Sequence, residues 1–269
     1  MAILLTVKSV LGLGIFTSPY GYAKVGLIWG AILSLLVCYV VSYGIVTLLT
    51  VTNELEVSSR CSSRSIKTYH DSAMFCFKKT SQKQIIKVLV ILSCTIANIA
   101  VIVANTSYTA NFLSGLFGYN NVTVIKIGIT IIFMIVICVI PEPEKIKYFA
   151  LPAFIGVAIV LTSMVAYNGY ESMYYWDDNL TRDLFVFENT TLYIGIALYS
   201  YEGVATVFTI RNTMRKPRHM HKYVIKSYSI MVALFVIIGV SFYLNYGDEK
   251  LLQSSFDYWP RSGPTLGYL

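Results

Sequence analysis

Seven long apolar stretches, separated by polar segments, dominate the pattern of the chain. Each is close to the roughly 20 residues that an α-helix needs to cross a bilayer at about 1.5 Å per residue. We therefore predict an all-α, polytopic membrane protein with about seven transmembrane helices in one domain over residues 1–269. The predicted spans are 2–20, 26–49, 88–113, 122–140, 149–167, 192–210 and 224–244.

The sixth stretch carries an acid and a glycine side by side near its centre, Glu202 and Gly203. A charged side chain at the middle of a spanning helix costs about 2.5–3.5 kcal/mol on insertion scales, so it rarely faces lipid. The glycine beside it weakens the helix. The pair predicts a helix that is broken at mid-membrane and lines a polar cavity. The alternative is a buried Glu202 that is paired to a neighbouring helix.

The first stretch is interrupted as well, because Gly12, Gly14 and Pro19 lie within it. In hydrocarbon, unwound backbone is tolerated only where protein or a water-filled cavity satisfies it. The ends of the two half-helices then offer free N–H and C=O groups to charged ligands. A second broken helix is one interpretation, and close helix packing through small residues is the other.

Two asparagines, Asn98 and Asn105, lie one heptad apart on the third stretch and so share one face of its helix. That face is expected to turn inward. Lining a cavity and bonding to a neighbouring helix are both compatible with this pattern.

Composition agrees with a membrane protein, since 13% of the residues are charged and 56% are hydrophobic. A soluble domain carries about a quarter charged residues. The net charge of +7 comes from basic residues between the spans, which indicates membrane topology and no nucleic-acid partner. Lys and Arg concentrate in 51–87 and 211–222, whereas 168–190 is acidic. The positive-inside rule thus makes 51–87 a cytosolic loop, 168–190 an extracytosolic loop and the N-terminus cytosolic.

The chain offers little support for catalysis or metal binding. No metal-ligand spacing occurs among its Cys and His residues, and its three histidines lie in basic inner segments. We therefore predict no enzyme, no cofactor and no metal site. No cysteine lies in a predicted outer loop, so no disulfide is expected. The five cysteines are Cys38, Cys61, Cys76, Cys94 and Cys138.

Two sequons in the predicted outer loop, at Asn179 and Asn189, are candidate glycosylation sites. A third sequon, at Asn121, adjoins a span and is expected to be too close to the bilayer for use.

Three segments together resemble the amino acid/auxin permease family of the APC superfamily. The first, Gly12-Leu-Gly-Ile-Phe-Thr-Ser-Pro19-Tyr-Gly-Tyr-Ala-Lys-Val-Gly26, is similar to the first-helix signature of that family. The second, Gly195-Ile-Ala-Leu-Tyr-Ser-Tyr-Glu202-Gly203 with Asn212-Thr-Met-Arg-Lys-Pro217, is similar to its sixth helix and the following loop. The third, Phe242-Tyr-Leu-Asn-Tyr-Gly247-Asp-Glu249, resembles the end of its seventh helix.

The resemblance implies the LeuT-like fold of the bacterial leucine transporter. That fold has two inverted five-helix repeats, and its helices 1 and 6 are broken around the substrate. Compared with it, this chain ends after the seventh predicted span, so we expect an incomplete, truncated second repeat. Many members of the family also bridge cysteines in outer loops, where this sequence has none.

The resemblance further implies secondary active transport of amino acids, here expected to be neutral ones, by alternating access around a mid-membrane site. N–H groups at the first break would bind the substrate carboxylate, and carbonyl oxygens at the second would bind its ammonium group. Glu202 is a candidate coupling site for a proton. The candidate binding residues are Leu11, Gly12, Leu13, Gly14, Ile15, Tyr199, Ser200, Tyr201 and Gly203.

The expected partners are an amino acid, H⁺ or Na⁺ as the coupling ion, and the lipid bilayer of a plasma, vacuolar or lysosomal membrane. Two other hypotheses stay open. The chain is an inactive truncated fragment or an accessory membrane protein that associates with a full-length carrier, or it is a seven-span receptor. The charge pattern argues against a receptor, because such receptors have an extracellular N-terminus.

Overall fold

The computed structural model describes residues 3, 5–7, 14–58, 68–75, 80–117, 122–139, 143–174, 181–214 and 216–247. Within these ranges the chain is helical apart from short connections, and no strand occurs among them. The helices are α1 (Gly14–Val25), α2 (Leu27–Ser58), α3 (Tyr69–Phe75), α4 (Thr80–Phe117), α5 (Val122–Val139), α6 (Pro143–Tyr174), α7 (Thr190–Ser200), α8 (Val204–Thr213) and α9 (Met220–Tyr246), with a 3₁₀ turn at Pro217–His219.

Three stretches in the described part of the chain are long and apolar enough to cross a bilayer, namely Leu27–Glu56, Gln82–Asn111 and Pro217–Tyr246. Shorter apolar helices occur at Thr123–Ile132, Ile155–Tyr170 and Thr190–Ser200. The all-α, polytopic membrane fold is therefore confirmed, while the limits of the seven individual spans stay predictions.

Helices extend into both predicted loops. The segment 51–87 contains the end of α2, all of α3 and the start of α4, and 168–190 begins with the last residues of α6. A helix continues past the bilayer wherever its own backbone hydrogen bonds continue. The ends of the helices therefore differ from the ends of the apolar stretches in the sequence.

A bundle of α1, α2, α7 and α9 forms the core, with α1 in contact with the other three. Tyr22 of α1 is fully buried, and its ring meets that of Tyr193 in α7 edge-on, at 5.7 Å between centroids and 84° between planes. Gly30 of α2 and Gly239 of α9 lie against the same ring. Because neither glycine has a side chain, both helices approach α1 closely enough to enclose Tyr22.

The hydroxyl of Ser34 joins three of these helices. It donates to the Gly30 carbonyl at 2.9 Å and lies 3.3 Å from the Tyr22 hydroxyl and in contact with the Tyr193 hydroxyl. Because the Ser34 hydroxyl donates to the Gly30 carbonyl, its two lone pairs are available to accept from the hydroxyls of Tyr22 and Tyr193. This buried cluster satisfies its polar groups inside the protein, as a membrane interior requires.

At one end of the bundle, which we call the Gly26 end, the extended segment 183–187 covers the start of α2. The Leu27 N–H donates to the Asp183 carbonyl at 3.0 Å. Gly26 has a φ of 83°, and a Cβ on it would lie 2.8 Å from the same carbonyl oxygen. The segment thus supplies acceptors for N–H groups that a helix start leaves unpaired.

At the opposite end, which we call the α3 end, the last turns of α2 contact both α3 and α8. The hydroxyls of Thr52 and Ser72 lie 2.8 Å apart, and the side chains of Glu56 and Arg211 form an ion pair of 2.7 Å. Among the described residues, side-chain contacts and no backbone hydrogen bonds link these three helices here.

We predict that Gly239→Ala destabilises the bundle by about 1–3 kcal/mol, the usual range for overpacking a core. A Cβ at this position would lie 2.4 Å from the Tyr22 ring, so either the ring or α9 must move. Gly44→Ala is the matched control, because a Cβ at Gly44 meets nothing within 4 Å. Thermal unfolding of the protein in detergent should show a lower midpoint for Gly239→Ala and an unchanged or higher one for Gly44→Ala, given the better helix propensity of alanine. Equal midpoints for the two variants would contradict the packing described.

Candidate functional site

The sixth predicted span is broken, as its sequence indicated. α7 ends at Ser200, α8 begins at Val204, and residues 201–203 between them are not helical. At the end of α7, the Tyr201 N–H donates to the Ala197 carbonyl at 3.0 Å. At the start of α8, the Val207 N–H donates to the Gly203 carbonyl, also at 3.0 Å. Helix ends of this kind leave carbonyl oxygens of one half and N–H groups of the other without intrahelical partners.

Helix α9 supports the break from one side. The Tyr228 hydroxyl donates to the Tyr201 carbonyl oxygen at 2.9 Å. The buried Tyr201 ring packs on Phe235, with centroids 5.4 Å apart. The hydroxyl of Tyr201 is itself buried and has no hydrogen-bond partner among the described residues. The Tyr201 carbonyl, which lies at the break, thus has a hydrogen-bond donor in the protein. The buried Tyr201 hydroxyl has none among the described residues.

Gly14, the first described residue of helix α1, lies directly against the end of α7. A Cβ on Gly14 would lie 2.1 Å from the Ser200 Oγ and 2.8 Å from the Ser200 Cα, so only glycine fits this approach. The structure therefore brings together two of the sequence-predicted site residues from opposite halves of the chain. Gly14 and Ile15 are helical, whereas Leu11, Gly12 and Leu13 lie outside the described residues.

The two asparagines of α4 have different surroundings. Asn105 accepts a hydrogen bond from the Tyr199 hydroxyl at 3.3 Å, one residue before the end of α7. Asn98 is exposed and lines a cavity of about 340 Å³ beside Phe208 of α8. The expectation that this face turns inward is therefore wrong for Asn98, whereas Asn105 contacts α7. A role of either asparagine in a transport site stays a prediction.

A groove of about 560 Å³ runs along α1 and α7 from the break toward the Gly26 end. The sequence analysis did not predict it, although helical spacing was a usable signal. Positions 192, 195, 196 and 199 share one face of α7, and 17 and 20 share one face of α1. Its lining residues are Thr17, Tyr20, Thr191, Leu192, Gly195, Ile196 and Tyr199.

Glu202 is exposed, and no ion pair of its carboxylate occurs among the described residues. Its neighbour Gly203 is buried. The described part of the chain therefore gives no partner for the alternative of a paired, buried Glu202. Its role in coupling stays a prediction.

Other predicted features lie near or outside the described residues. Asn189 is half-buried at the start of α7, where its carbonyl accepts the Tyr193 N–H at 3.1 Å, and Asn179 and Asn121 lie outside the described ranges. Of the cysteines that are described, Cys38 is buried and Cys94 is half-buried, and both are free thiols. The described residues contain no cluster of three or more potential metal ligands.

Residues 1–251 match the family described as "Transmembrane amino acid transporter protein". The chain belongs to this family. The resemblance on which the three sequence segments agreed is thereby confirmed, and the family is one of transport proteins and not of enzymes.

Curated relatives with a similar sequence are yeast proteins. The chain is 25% identical over 259 residues to "Vacuolar amino acid transporter 3" of Saccharomyces cerevisiae, a match that covers 92% of this chain and 35% of that protein. It is 23% identical over 267 residues to "Vacuolar amino acid transporter 7" of the same yeast, covering 95% of this chain and 51% of that protein. "Vacuolar amino acid transporter 3" of Schizosaccharomyces pombe is 23% identical over 258 residues, with 92% and 36% covered.

The chain spans between about a third and a half of the length of these relatives. No solved structure matches it at a comparable level of significance.

We predict that Gly14→Ala destabilises the protein by about 1–3 kcal/mol, because the added methyl group overlaps Ser200. Ser200→Gly removes the two closest atoms, so the double variant should recover part of the loss, with a coupling of about 0.5–3 kcal/mol. Thermal unfolding of the four proteins in detergent measures this cycle.

Gly195→Ala is the control for the cycle, since a Cβ at Gly195 meets nothing within 4 Å. Strict additivity of Gly14→Ala and Ser200→Gly would show that the two segments do not touch in solution.

Proposed function

We propose that this chain takes part in secondary active transport of neutral amino acids by alternating access, with the substrate bound where α1 meets the break after α7. The observation that supports it is the approach of Gly14 to Ser200, which brings the first described residue of α1 to the last residue of α7. Family membership and the printed names of the yeast relatives support an amino acid as the substrate.

An amino acid zwitterion has a carboxylate, which accepts hydrogen bonds, and an ammonium group, which donates them. The start of a helix attracts its carboxylate, because unpaired N–H groups and the helix dipole concentrate positive charge there. Residues 11–15 are the proposed donors. The carbonyl oxygens near residues 199–203 at the end of α7 carry the opposite partial charge and would accept from the ammonium group. A substrate bound in this way needs no side-chain charge of its own, which favours neutral amino acids.

The groove along α1 and α7 is the proposed approach route from the Gly26 end. Its lining extends from Tyr199, beside the break, to Tyr20 and Thr191. The apolar and hydroxyl-bearing lining suits a small solute that must leave again, since deep charged binding would hold it too tightly for transport.

The coupling ion is proposed to be a proton or Na⁺, with Glu202 as the candidate proton carrier. Its exposed carboxylate lies at the break itself, so protonation there would change the charge that faces the substrate. The charge pattern favours a cytosolic N-terminus, and the names of the relatives favour a vacuolar-type membrane over the plasma membrane.

A second candidate function is that of a unit that works only with further helices, as a fragment or accessory protein. It is favoured by the exposure of Asn98 and Glu202, because polar side chains within spanning helices normally face protein or water. A seven-span receptor has no such support, since the family is one of transport proteins.

Uptake by the purified chain in proteoliposomes tests the proposal. We expect accumulation of a labelled neutral amino acid, above that in empty liposomes, under an imposed proton or sodium gradient. Gly14→Leu should abolish it by filling the contact with Ser200, whereas Gly44→Leu should leave it intact. The unfolding midpoint of each variant separates loss of the site from loss of the fold.

Uptake by Gly14→Leu at the parent rate would rule out the proposed site. If the parent chain alone shows no uptake, but gains it when co-expressed with a full-length relative, the second candidate function is favoured.

For coupling, we predict that Glu202→Gln loses gradient-driven accumulation while it retains exchange of labelled for unlabelled amino acid. The neutral side chain cannot cycle a proton, yet the substrate contacts at the backbone remain. Glu202→Asp, which keeps the carboxylate, should retain accumulation. Unchanged gradient-driven uptake by Glu202→Gln would exclude a coupling role for this residue.

A further inference from the structure

Arg211 is the only charged residue that is buried in the described part of the chain, and it lies away from the break. It belongs to the last turn of α8 at the α3 end, and its side chain is 3% exposed. Its Nη2 donates to the Glu56 Oε2 at 2.7 Å and to the Asn53 Oδ1 at 3.0 Å. Both acceptors come from the last turns of α2. The far end of α8 is therefore attached to α2 through one guanidinium group.

The same turns of α2 also hold α3. The Thr52 hydroxyl, one residue before Asn53, bonds to the Ser72 hydroxyl of α3 at 2.8 Å in a buried contact. Helix α3 in turn contacts α8, where the rings of Tyr69 and Phe208 lie 6.1 Å apart. The ends of α2, α3 and α8 thus form one closed cluster.

A cavity of about 340 Å³ adjoins this cluster, between α3, α4 and α8. Tyr69 and Phe208 belong to its wall together with Cys94, Asn98 and Thr209. Phe208 and Thr209 follow the break at residues 201–203 by fewer than two helical turns. Any outward movement of α8 that separates it from α3 would open the cavity toward the α3 end.

The ion pair between Arg211 and Glu56 has the properties of a contact that can form and break as α8 moves relative to α2. A buried Arg without its partner is an uncompensated charge, so α8 is strongly held while it lies against α2. The Glu56 side chain is 27% exposed, so both groups reach water once α8 moves away and the separated charges become hydrated. α8 is also detached from α7 at the break, where residues 201–203 interrupt the helix and can act as a hinge.

We propose that Arg211 and Glu56, with Asn53, form a latch that holds α8 closed against α2 and opens whenever the cavity between α3, α4 and α8 opens to water. Its place in the transport cycle rests on the proposed function. Since α8 starts at the break, opening the latch would shift the N–H groups of its first turn, which links substrate occupancy to access at the α3 end. Arg211 is in this sense a positioning residue for the site.

The native thiol of Cys94 reports on the latch, because it lines the cavity. The reporter protein retains Cys94 and carries alanine at the other four cysteines. The rate of labelling by a charged, water-soluble maleimide is measured in nanodiscs, which expose both faces of the membrane. We expect Arg211→Gln and Glu56→Gln each to raise that rate by about tenfold, the effect of a tenfold larger open population.

Two controls separate a latch from a general weakening of the fold. In a protein that retains only Cys38, which is buried in the bundle, labelling should not change with Arg211→Gln. Lys216→Gln, which removes an exposed positive charge near the end of α8, should leave Cys94 labelling at the parent rate. The charge exchange Arg211→Glu with Glu56→Arg should bring Cys94 labelling back toward the parent rate, whereas either single reversal should raise it.

The latch is overturned if Cys94 labelling is unchanged in Arg211→Gln, or if Cys38 labelling rises by the same factor. Labelling needs no transported substrate, so its outcome is separate from that of the uptake assay. Faster Cys94 labelling in a chain without uptake supports the latch and counts against the transport proposal alone. Uptake together with unchanged Cys94 labelling in Arg211→Gln would overturn the latch and support the transport proposal.

Discussion

The constraint on which this structure depends is that backbone polar groups exposed inside a membrane must find partners within the protein. The interruption at Tyr201 to Gly203 creates such groups in the middle of a predicted span. Part of the requirement is met by α9, whose Tyr228 hydroxyl donates to the Tyr201 carbonyl. Part of the space is closed by α1, which approaches Ser200 closely because Gly14 has no side chain. The core of α1, α2, α7 and α9 is thus arranged around a break in one of its members.

The two ends of this core are closed by different interactions. At the Gly26 end, the segment 183–187 supplies backbone carbonyls to the start of α2, and such bonds do not depend on ionisation. At the α3 end, an ion pair between Arg211 and Glu56 and a hydroxyl pair between Thr52 and Ser72 hold the helices. Of the ion pair, the Glu56 carboxylate is already partly exposed, so the separated charges become hydrated once α8 moves away. The physical difference favours movement at the α3 end.

The region around the break combines a helix start, a helix end and a buried tyrosine hydroxyl without a partner among the described residues. Polar groups left open in a buried place are costly unless a ligand or water reaches them. Unpaired polar groups at a break are compatible with the proposed transport function, because a solute that binds and leaves again needs polar groups that no protein group occupies permanently. Glu202, within the break, is exposed as well, and Asn98 of α4 lines a separate cavity beside Phe208 of α8.

The sequence by itself determined the all-α membrane class, the order of the apolar segments, the family and the break beside Glu202. These features depend on local properties, namely runs of apolar residues long enough to span a bilayer and a glycine that weakens a helix next to a charge. Only the tertiary structure decided that Gly14 meets Ser200, that Tyr199 bonds to Asn105 and not to Asn98, and that Arg211 pairs with Glu56 across 155 positions. Hydropathy and helical periodicity describe which face of a helix is buried, but the choice of partner depends on how separate helices cross and pack.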